Sequence, residues 1–471
     1  MLRPWNIQLY LDKSSSKALY LQIADHIIEL IKNGTFTPKY ALPSSRVLAT
    51  ELGVNRNTVI KALDLLIAEG WAVSAERKGL FVASTTMAQG GNKSVNRRCQ
   101  ASKEVLPYQQ VKFDSGLPDV KLAPIDELAR AYRQIFSRNV RLNLMQESSP
   151  LGALKFREAV AIMLNQTRGM SALAQQVCIT RGSQMALYLI AHTLFDEGDV
   201  VLVENPGYAP AWETFKHAGA TLMPIGVDKE GMQVDSIEQI LLNTSIKAVY
   251  TTPHHQYPTT VTLSLARRLK LVELSNQYGF TIIEDDYDSD FHFGHRPVAP
   301  ISSLSLGQNI IYIGTMSKLV SASLRVGYFI ASPQFIEKVS HLRSIIDLQG
   351  DNIMEYAILE LVESGALKRH IRKASKIYLS KRNLVATLLD KYLADKVEYN
   401  LPEGGLAFWI SLKKEQDMAL LRNRLEKLHV SILPTSNYSF DVPVLGIRLG
   451  YGSLSEEQLE EGISKLAKAL R

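Results

Sequence analysis

A lysine closely follows an apolar run in the stretch NIIYIGTMSKLVSASLRVGY, residues 309–328. The apolar run at residues 310–313 stops at Gly314, Lys318 comes four residues later, and Arg325 follows seven residues after the lysine. A lysine that is held at a strand end, away from water, has a lowered pKa and can act as a nucleophilic amine. A solvated charge at the end of a strand is the ordinary alternative, so this lysine needs partners elsewhere in the chain before it implies chemistry.

Partners of the required kinds are present. Asp285 lies at the end of the apolar run FTIIEDDYD, residues 280–288, and supplies a carboxylate that can keep a pyridine nitrogen protonated. A glycine and two polar residues precede the apolar helical pattern that starts near residue 185, and the N-terminus of a helix binds phosphate. The residues predicted to surround a phosphate are Gly182, Ser183, Gln184, Thr315, Ser317 and Arg325. A lysine, a carboxylate and a phosphate site are the groups that pyridoxal 5'-phosphate needs, and the sequence therefore predicts this cofactor.

The elements that position these groups belong to an α/β fold. Beyond residue 140, strand-like apolar runs alternate with helical patterns, which implies a mainly parallel sheet. Ligands of such sheets bind at the carboxyl ends of the strands. Four of the runs end in polar residues, at 204–205, 254–256, 285–287 and 315–318. The sequence therefore predicts one site at one edge of the sheet, in a domain of residues 111–471 whose small C-terminal subdomain covers about residues 346–471.

Residues 1–83 show a different pattern, with three amphipathic helical segments followed by two short strands around a charged turn. A short helix, a tight turn at Gly53 and a second helix capped by Asn55 predict a winged helix-turn-helix. The second helix would present its first turn to base edges, while the preceding helix start and the wing would contact the DNA backbone. The predicted DNA-binding residues are Ser44, Ser45, Arg46, Arg56, Asn57, Thr58, Arg77, Lys78 and Gly79. A small helical domain with a solvated polar face is the alternative interpretation.

The distribution of charge favours a nucleic-acid partner for the N-terminal part. The 471 residues carry a net charge of +6, and residues 1–83 hold ten lysine and arginine residues against seven acidic ones. Residues 84–112 hold five lysine and arginine residues against one acidic residue, and residues 84–110 are predicted to form a flexible basic linker. No apolar run approaches the roughly 20 residues that span a bilayer, and no signal peptide or zinc-type CxxC pair is evident. We therefore expect a cytoplasmic protein without a metal site.

Two families resemble the two parts of the chain. The stretch LPSSRVLATELGVNRNTVIKALDLLIAEGWAVSAERKGLFV resembles the winged helix of the GntR family of bacterial regulators. The region from about Phe113 to Arg471 resembles fold-type I aminotransferases of class I, on the motifs SKLVSASLR, EDDYD, ENPGY and GIRLGYGSLSEEQLEEGI. The resemblance implies that Lys318 is the cofactor lysine, that Arg325 binds the phosphate and that Asp285 binds the pyridinium nitrogen.

The same resemblance assigns three further residues. It places Tyr287 at the ring hydroxyl of the cofactor, Tyr208 in a stack on the pyridine ring, and Arg448 at the carboxylate of a bound amino acid. A guanidinium suits that carboxylate because it donates two parallel hydrogen bonds. A surface charge at a strand end is the alternative interpretation of Arg448.

The segment QYPTT departs from the aminotransferase pattern. Aminotransferases have asparagine where this chain has Tyr257, and glycine where it has Thr260. We expect Gln256 to contact the ring hydroxyl in place of the missing asparagine.

A GntR-type winged helix joined to an aminotransferase-like unit resembles the MocR/GabR family of bacterial transcriptional regulators. The resemblance implies a head-to-tail homodimer that binds promoter DNA and senses an effector amine. In this hypothesis an amine or amino acid displaces Lys318 to form an external aldimine, and Arg448 holds its carboxylate. Two alternatives stay open, namely an active aminotransferase with an appended DNA-binding head and a regulator that senses pyridoxal 5'-phosphate itself.

Overall fold

Two units make up the chain, residues 1–104 and residues 105–471. The computed structural model describes residues 10–12, 17–75, 79–83, 110–137, 149–294, 298–304, 309–440 and 444–470. Most of the predicted linker, as well as Arg77 and Lys78 of the predicted wing, lies outside these described residues. Among the described helices, none combines the length and the apolar character that a membrane crossing requires.

The described residues of the first unit form three helices and a β-hairpin. They are α1 (Leu19–Lys32), α2 (Ser45–Leu52), α3 (Arg56–Ala68), β1 (Ala72–Ala75) and β2 (Gly79–Val82). Ser44 and Asn55 cap α2 and α3 through their side-chain oxygens, and Gly53 ends α2 in the left-handed conformation that glycine adopts without strain. The apolar faces of the helices meet in one core that includes Ile27, Leu48 and Leu66.

The second unit contains the remaining elements. Its helices are α4 (Ile125–Ser137), α5 (Leu154–Arg168), α6 (Ser183–Leu194), α7 (Ala209–His217), α8 (Asp235–Leu241), α9 (Leu265–Tyr278), α10 (Ile301–Leu304), α11 (Pro333–Ile346), α12 (Asn352–Glu363), α13 (Ala366–Leu393), α14 (Met418–Lys427) and α15 (Glu456–Ala469). Its strands are β3 (Val111–Lys112), β4 (Val177–Thr180), β5 (Val200–Asn205), β6 (Thr221–Asp228), β7 (Gly231–Met232), β8 (Ala248–Thr251), β9 (Thr281–Asp286), β10 (Ile310–Thr315), β11 (Gly327–Ile330), β12 (Val397–Tyr399), β13 (Ala407–Leu412), β14 (Val430–Ser431) and β15 (Gly446–Gly450).

An eight-stranded sheet forms the centre of this unit, in the order β4-β11-β10-β9-β8-β5-β6-β7. The five strands β10, β9, β8, β5 and β6 run parallel, whereas β11 is antiparallel to both of its neighbours and β7 is antiparallel to β6. The central strands are buried almost throughout, which explains why they read as continuous apolar runs. The predicted α/β fold with a mainly parallel sheet is confirmed.

A smaller antiparallel sheet lies in the C-terminal part, in the order β12-β13-β15. The long helix α13 packs against α15, and both contribute to the core beneath this sheet. A two-stranded pairing of β14 with β3 joins residues 111–112 to the C-terminal part of the chain. The residues that directly follow β3 also lie next to β15, where the N–H of Gly450 donates to the carbonyl of Asp114.

Candidate functional site

The first candidate site is the surface of the winged helix. Arg56 and Asn57 start α3 and are exposed, and the Nε of Arg56 donates to the Oγ of Ser45 at 3.3 Å, which links the starts of α2 and α3. Arg46 is exposed in the first turn of α2, while Thr58 is partly exposed. These polar groups share the N-terminal ends of the two helices, where the helix dipole and free N–H groups favour phosphate.

The wing is described only in part. Gly79 begins β2 with a φ of 103° and is exposed, so it fits the tight turn predicted at this point. The backbone N–H of Leu42 donates to the carbonyl of Leu80, so the segment before α2 pairs with β2. Ser44, which was predicted to contact DNA, also uses its hydroxyl to cap α2 by accepting from the N–H of Val47 at 3.4 Å.

The second candidate site is a cavity of about 190 Å³ at the carboxyl ends of the parallel strands. Eight of the residues predicted to bind a cofactor line this cavity, namely Ser183, Tyr208, Asp285, Tyr287, Thr315, Ser317, Lys318 and Arg325. They come from β9 and the residue after it, from β10 and the segment between β10 and β11, from the start of α6 and from the residue before α7. Polar ends of parallel strands meet at one sheet edge, which is why residues far apart in sequence share this wall.

Lys318 projects into the cavity from the loop after β10. Its Nζ donates to the backbone carbonyl of Gly116 at 2.9 Å and lies 4.6 Å from the ring centre of Tyr287. Removal from bulk water lowers the pKa of the Lys318 amine to about 8. A larger fraction of this amine is therefore neutral and nucleophilic at neutral pH than in an exposed lysine.

Asp285 closes the cavity on the side of β9. It is buried, and its Oδ2 accepts a hydrogen bond from the hydroxyl of Tyr250 at 2.9 Å. Its Oδ1 is buried without a hydrogen-bond partner among the described residues. Burial raises the pKa of Asp285 to about 7. A buried carboxylate oxygen that lacks a donor, in a residue on a cavity wall, calls for a bound group that carries an N–H.

The opposite end of the cavity suits an anion. Gly182 precedes α6 with a φ of 78°, and a Cβ at this position would lie 2.7 Å from the Nη2 of Arg325. The absence of a side chain thus allows the guanidinium to lie across the N-terminus of α6. Ser317 adds a buried hydroxyl that has no hydrogen-bond partner among the described residues. Gln184 contributes the backbone at the second position of α6, whereas its side chain bonds to Thr214 at 2.7 Å.

Two tyrosines, Tyr208 and Tyr287, form walls between these ends. Tyr208 precedes α7 and meets Tyr257 edge to face, with ring centres 5.2 Å apart. The hydroxyl of Tyr287 accepts from the Nη2 of Arg448 at 3.3 Å.

Gln256 is not among the residues that line the cavity, and its contact with the ring hydroxyl stays a prediction. Its amide nitrogen donates to the carbonyl of Tyr257 at 2.6 Å, to that of Pro206 at 2.8 Å and to the carboxylate of Glu204 at 3.2 Å. Its amide oxygen accepts from Thr259. The side chain thus bonds to Glu204, to Pro206 and to its own turn, and the neighbouring Tyr257 lines the cavity.

Arg448 lies in β15, directly behind the cavity wall. Its exposed fraction is 1%, and its Nε and Nη1 donate to the carbonyls of Ser115 and Pro258 at 3.0 and 2.8 Å. The guanidinium carbon lies 4.7 Å from the ring centre of Tyr257. Because Arg448 is fully buried, the surface-charge interpretation is wrong, but its contact with a ligand carboxylate stays a prediction.

Comparison with known proteins identifies the two units. Residues 108–466 match the aminotransferases of class I and II, and residues 19–82 match the bacterial regulatory proteins of the gntR family. The chain belongs to the class I and II aminotransferase family. A GntR-family winged helix joined to an aminotransferase domain is the composition of MocR-type regulators, as the sequence predicted.

Three similar proteins match either nearly the whole chain or about three quarters of it. The probable rhizopine catabolism regulatory protein MocR of Rhizobium meliloti is 27% identical over 98% of this chain and 95% of its own length. The multiple substrate aminotransferase of Thermococcus profundus is 29% identical with a TM-score of 0.73, over 78% of this chain and 92% of its own. LysN of Thermus thermophilus, an α-aminoadipate aminotransferase complexed with N-(5'-phosphopyridoxyl)-L-leucine, is 27% identical with a TM-score of 0.71, over 77% of this chain and 92% of its own.

The cofactor of this aminotransferase domain is pyridoxal 5'-phosphate, and the residues present fit it. The unpartnered Oδ1 of Asp285 suits a protonated ring nitrogen, and the amine of Lys318 suits the aldehyde. The unpartnered hydroxyl of Ser317 and the guanidinium beside Gly182 suit the phosphate.

Several residues of the site gave no recognisable signal in the sequence. Ser115 and Leu117 line the cavity from a loop about 200 residues before Lys318, and only the folded chain brings them there. Thr252 also lines it without such a signal, whereas Tyr257, which lines it too, stands where aminotransferases have asparagine. Tyr250 had one usable signal, since a tyrosine in an otherwise apolar buried strand needs a partner for its hydroxyl.

Proposed function

We propose that this MocR-type protein binds promoter DNA through its winged helix and senses a carboxylate-bearing amine or amino acid at Lys318. One observation carries the proposal, namely that the amine of Lys318 and the unpartnered carboxylate oxygen of Asp285 belong to the same cavity of a chain with a DNA-binding head. MocR of Rhizobium meliloti, which matches almost the whole chain, is named as a regulatory protein.

The side chains around the cavity have distinct parts in this proposal. Arg325, Ser317 and the start of α6 hold the phosphate, while Asp285 holds a proton on the ring nitrogen. Tyr208 covers the ring. When bound, the cofactor supplies an aldehyde carbon that bonds reversibly to primary amines. Lys318 is released as a free amine when the amine of an effector takes its place, and Arg448 then binds the effector's carboxylate.

Release of Lys318 is the event that the DNA-binding units would sense. The family resemblance implies a head-to-tail homodimer, in which a change in the aminotransferase domains alters the spacing of the winged helices. Coupling between two sites is typically about 1–3 kcal/mol, which corresponds to an approximately 5–150-fold change in affinity. We therefore expect the effector to change operator affinity within this range.

Replacement of Lys318 tests the proposal. Lys318→Ala should remove the absorbance band of the bond between lysine and cofactor and should abolish the effect of amines on DNA binding, measured by fluorescence anisotropy with a promoter duplex. Lys338→Ala changes an exposed lysine on α11 and should leave both properties intact. Amines that still shift DNA affinity in Lys318→Ala would contradict the proposal. A shift caused by pyridoxal 5'-phosphate alone, without any amine, would identify the cofactor as the signal instead.

An active aminotransferase with an appended DNA-binding head is the second candidate. It is supported by the presence of Lys318, Asp285 and Arg448 together, and by the match to the multiple substrate aminotransferase. Steady turnover of an amino acid in the presence of 2-oxoglutarate would favour the enzyme, while a single conversion per protomer would favour the sensor.

A further inference from the structure

Tyr257 stands between the cavity and Arg448. It lines the cavity, whereas Arg448 does not and is almost completely buried. The ring of Tyr257 faces the guanidinium, with 4.7 Å between the ring centre and the guanidinium carbon. At this distance a cation and an aromatic face attract each other. A carboxylate in the cavity therefore meets the tyrosine ring before it meets the arginine.

The polar groups of Arg448 are already engaged on its other sides. Its Nε donates to Ser115, its Nη1 to Pro258 and its Nη2 to the hydroxyl of Tyr287. These bonds use three of the five N–H groups of the guanidinium, and one N–H each of Nη1 and Nη2 remains for a ligand. Because the ring of Tyr257 covers the guanidinium on the cavity side, a ligand carboxylate must move that ring to reach these N–H groups.

Hydrogen bonds hold the backbone of Tyr257, whereas its ring is held by contacts with two other rings and with Arg448. The N–H donates to the Oγ1 of Thr252 at 2.9 Å, and the carbonyl accepts from Gln256 at 2.6 Å. Thr252 and Gln256 are in turn bound to the buried carboxylate of Glu204. The hydroxyl of Tyr257 has no hydrogen-bond partner among the described residues, and the ring makes edge-to-face contacts with Tyr208 and Tyr287. Rotation of the Tyr257 side chain, with its backbone held in place, is thus the least costly way to expose the guanidinium of Arg448 to the cavity.

We infer that Tyr257 is the specificity-determining residue of this site, a gate that carboxylate-bearing amines must move before they reach Arg448. The inference rests on the proposed function, in that it concerns the ligand that exchanges with Lys318. Amines without a carboxylate reach Lys318 while the ring stays in place. Amino acids must displace the ring, and the stacking between Tyr257 and Arg448 is lost when they bind.

A matched pair of ligands separates these two classes. L-leucine and isopentylamine differ only in the carboxylate, and their apparent dissociation constants are measured from the loss of the absorbance of the lysine–cofactor bond in the full-length protein. Tyr257→Leu removes the flat ring but keeps apolar bulk, so it should tighten L-leucine relative to isopentylamine by roughly 2- to 30-fold, the range of a cation–π contact. Tyr257→Phe keeps the ring and should behave like the wild type.

A second measurement does not depend on the reaction with Lys318. The carboxylate 4-methylpentanoate has no amine, and its binding is followed by isothermal titration calorimetry with and without cofactor. It should bind more tightly to Tyr257→Leu than to the wild type, and the gain should vanish when Arg448→Gln is added. This calorimetric result still decides the role of Tyr257 if amines prove unable to change DNA binding.

Four outcomes would overturn the inference. The ratio of the apparent dissociation constants of the two ligands could stay unchanged in Tyr257→Leu. L-leucine could also bind more weakly relative to isopentylamine, which would mean that the ring supports carboxylate binding. The gain could also persist without Arg448. An equal gain in Tyr257→Phe would assign the effect to the hydroxyl and would contradict the stacking argument.

Discussion

Asp285 and Asp286 are neighbours in β9 and are both buried, yet their surroundings shift the pKa values of the two carboxyl groups in opposite directions. Burial raises the pKa of Asp285 to about 7 although Tyr250 donates a hydrogen bond to it. Burial acts in the same direction on Asp286, but the charge of Arg168 outweighs it and lowers the pKa of that carboxyl. Asp285 is therefore the carboxyl that gains from a cationic partner, because a protonated ring nitrogen stabilises its charged form.

The raised pKa of Asp285 predicts a specific pH dependence of stability in the cofactor-free protein. Between about pH 4 and pH 7 the folded state keeps a proton that the unfolded state has lost, so stability from this group falls as the pH rises through that window. Asp285→Asn is neutral at every pH. The advantage in stability of the variant over the wild type should be larger at pH 8 than at pH 5, by on the order of 2–3 kcal/mol. Urea unfolding of both proteins at the two pH values measures the difference.

Asp286→Asn is the matched control for this experiment. It leaves the buried guanidinium of Arg168 without its charged partner, and the loss of one member of a buried ion pair costs about 3–5 kcal/mol. Because the lowered pKa of Asp286 lies below both test conditions, the loss should be the same at pH 5 and pH 8. An Asp285→Asn variant that is destabilised more at pH 8 than at pH 5 would show that Asp285 is charged and stabilised in the cofactor-free protein.

At the scale of the elements, the strand ends were predictable because parallel strands share one functional edge. The run at residues 309–318 forms β10 (Ile310–Thr315), and the run at 280–288 forms β9 (Thr281–Asp286). Their polar ends meet at the cavity, as the sequence indicated. The antiparallel strand β11 between β10 and β4 was not predicted, since its short apolar run carries no information about direction.

The turn after β8 shows how an element tolerates a departure from the aminotransferase pattern. Thr260, which stands where aminotransferases have glycine, has a φ of 63°. Its N–H donates to the carbonyl of Gln256 at 2.7 Å and closes the turn. The backbone thus keeps the left-handed conformation, although a β-branched residue adopts it at a cost of about 1–2 kcal/mol.

Thr260→Gly should therefore stabilise the protein. Relief of the left-handed strain exceeds the entropy that glycine loses on folding, and we expect a gain of about 0.5–1 kcal/mol in the free energy of unfolding. Thr259→Gly is the control one residue earlier, where the hydroxyl donates to Gln256 at 2.6 Å. It should destabilise by roughly 1–2 kcal/mol. Urea denaturation distinguishes the two, and destabilisation by Thr260→Gly would mean that the threonine side chain makes a contact worth more than the strain.

At the scale of the whole molecule, the sequence predicted the two units and the cofactor but not the complete site. Asp285 lies at the end of β9, and Lys318 and Arg325 lie in the segment between β10 and β11. All three belong to recognisable motifs, so local sequence was sufficient for them. Ser115 reaches the cavity only because β3 pairs with β14 and β15 approaches the following loop. Such contacts between residues hundreds of positions apart depend on tertiary packing, which local periodicity does not encode.

The same long-range contacts join the proposed sensor to the C-terminal part of the chain. Arg448 belongs to β15 and binds Ser115, Pro258 and Tyr287, which come from three different segments around the cavity. A ligand that changes the contacts of this one guanidinium changes the connection between the large sheet and the small one. This arrangement favours a response in which the C-terminal part moves when an effector binds.

Coupling between effector and DNA must be reciprocal, which gives a quantitative prediction for the full-length protein. If an amine weakens or tightens binding to a promoter duplex by a given factor, that duplex must change the half-saturation by the amine, read from the absorbance of the lysine–cofactor bond, by the same factor. We expect a factor of about 5–150. A scrambled duplex of equal length, measured at the same salt concentration, controls for non-specific binding through phosphate contacts. Both measurements describe one thermodynamic cycle. If the amine changes the affinity for the duplex but the duplex does not change the half-saturation at Lys318, the regulatory amine must bind at a different site.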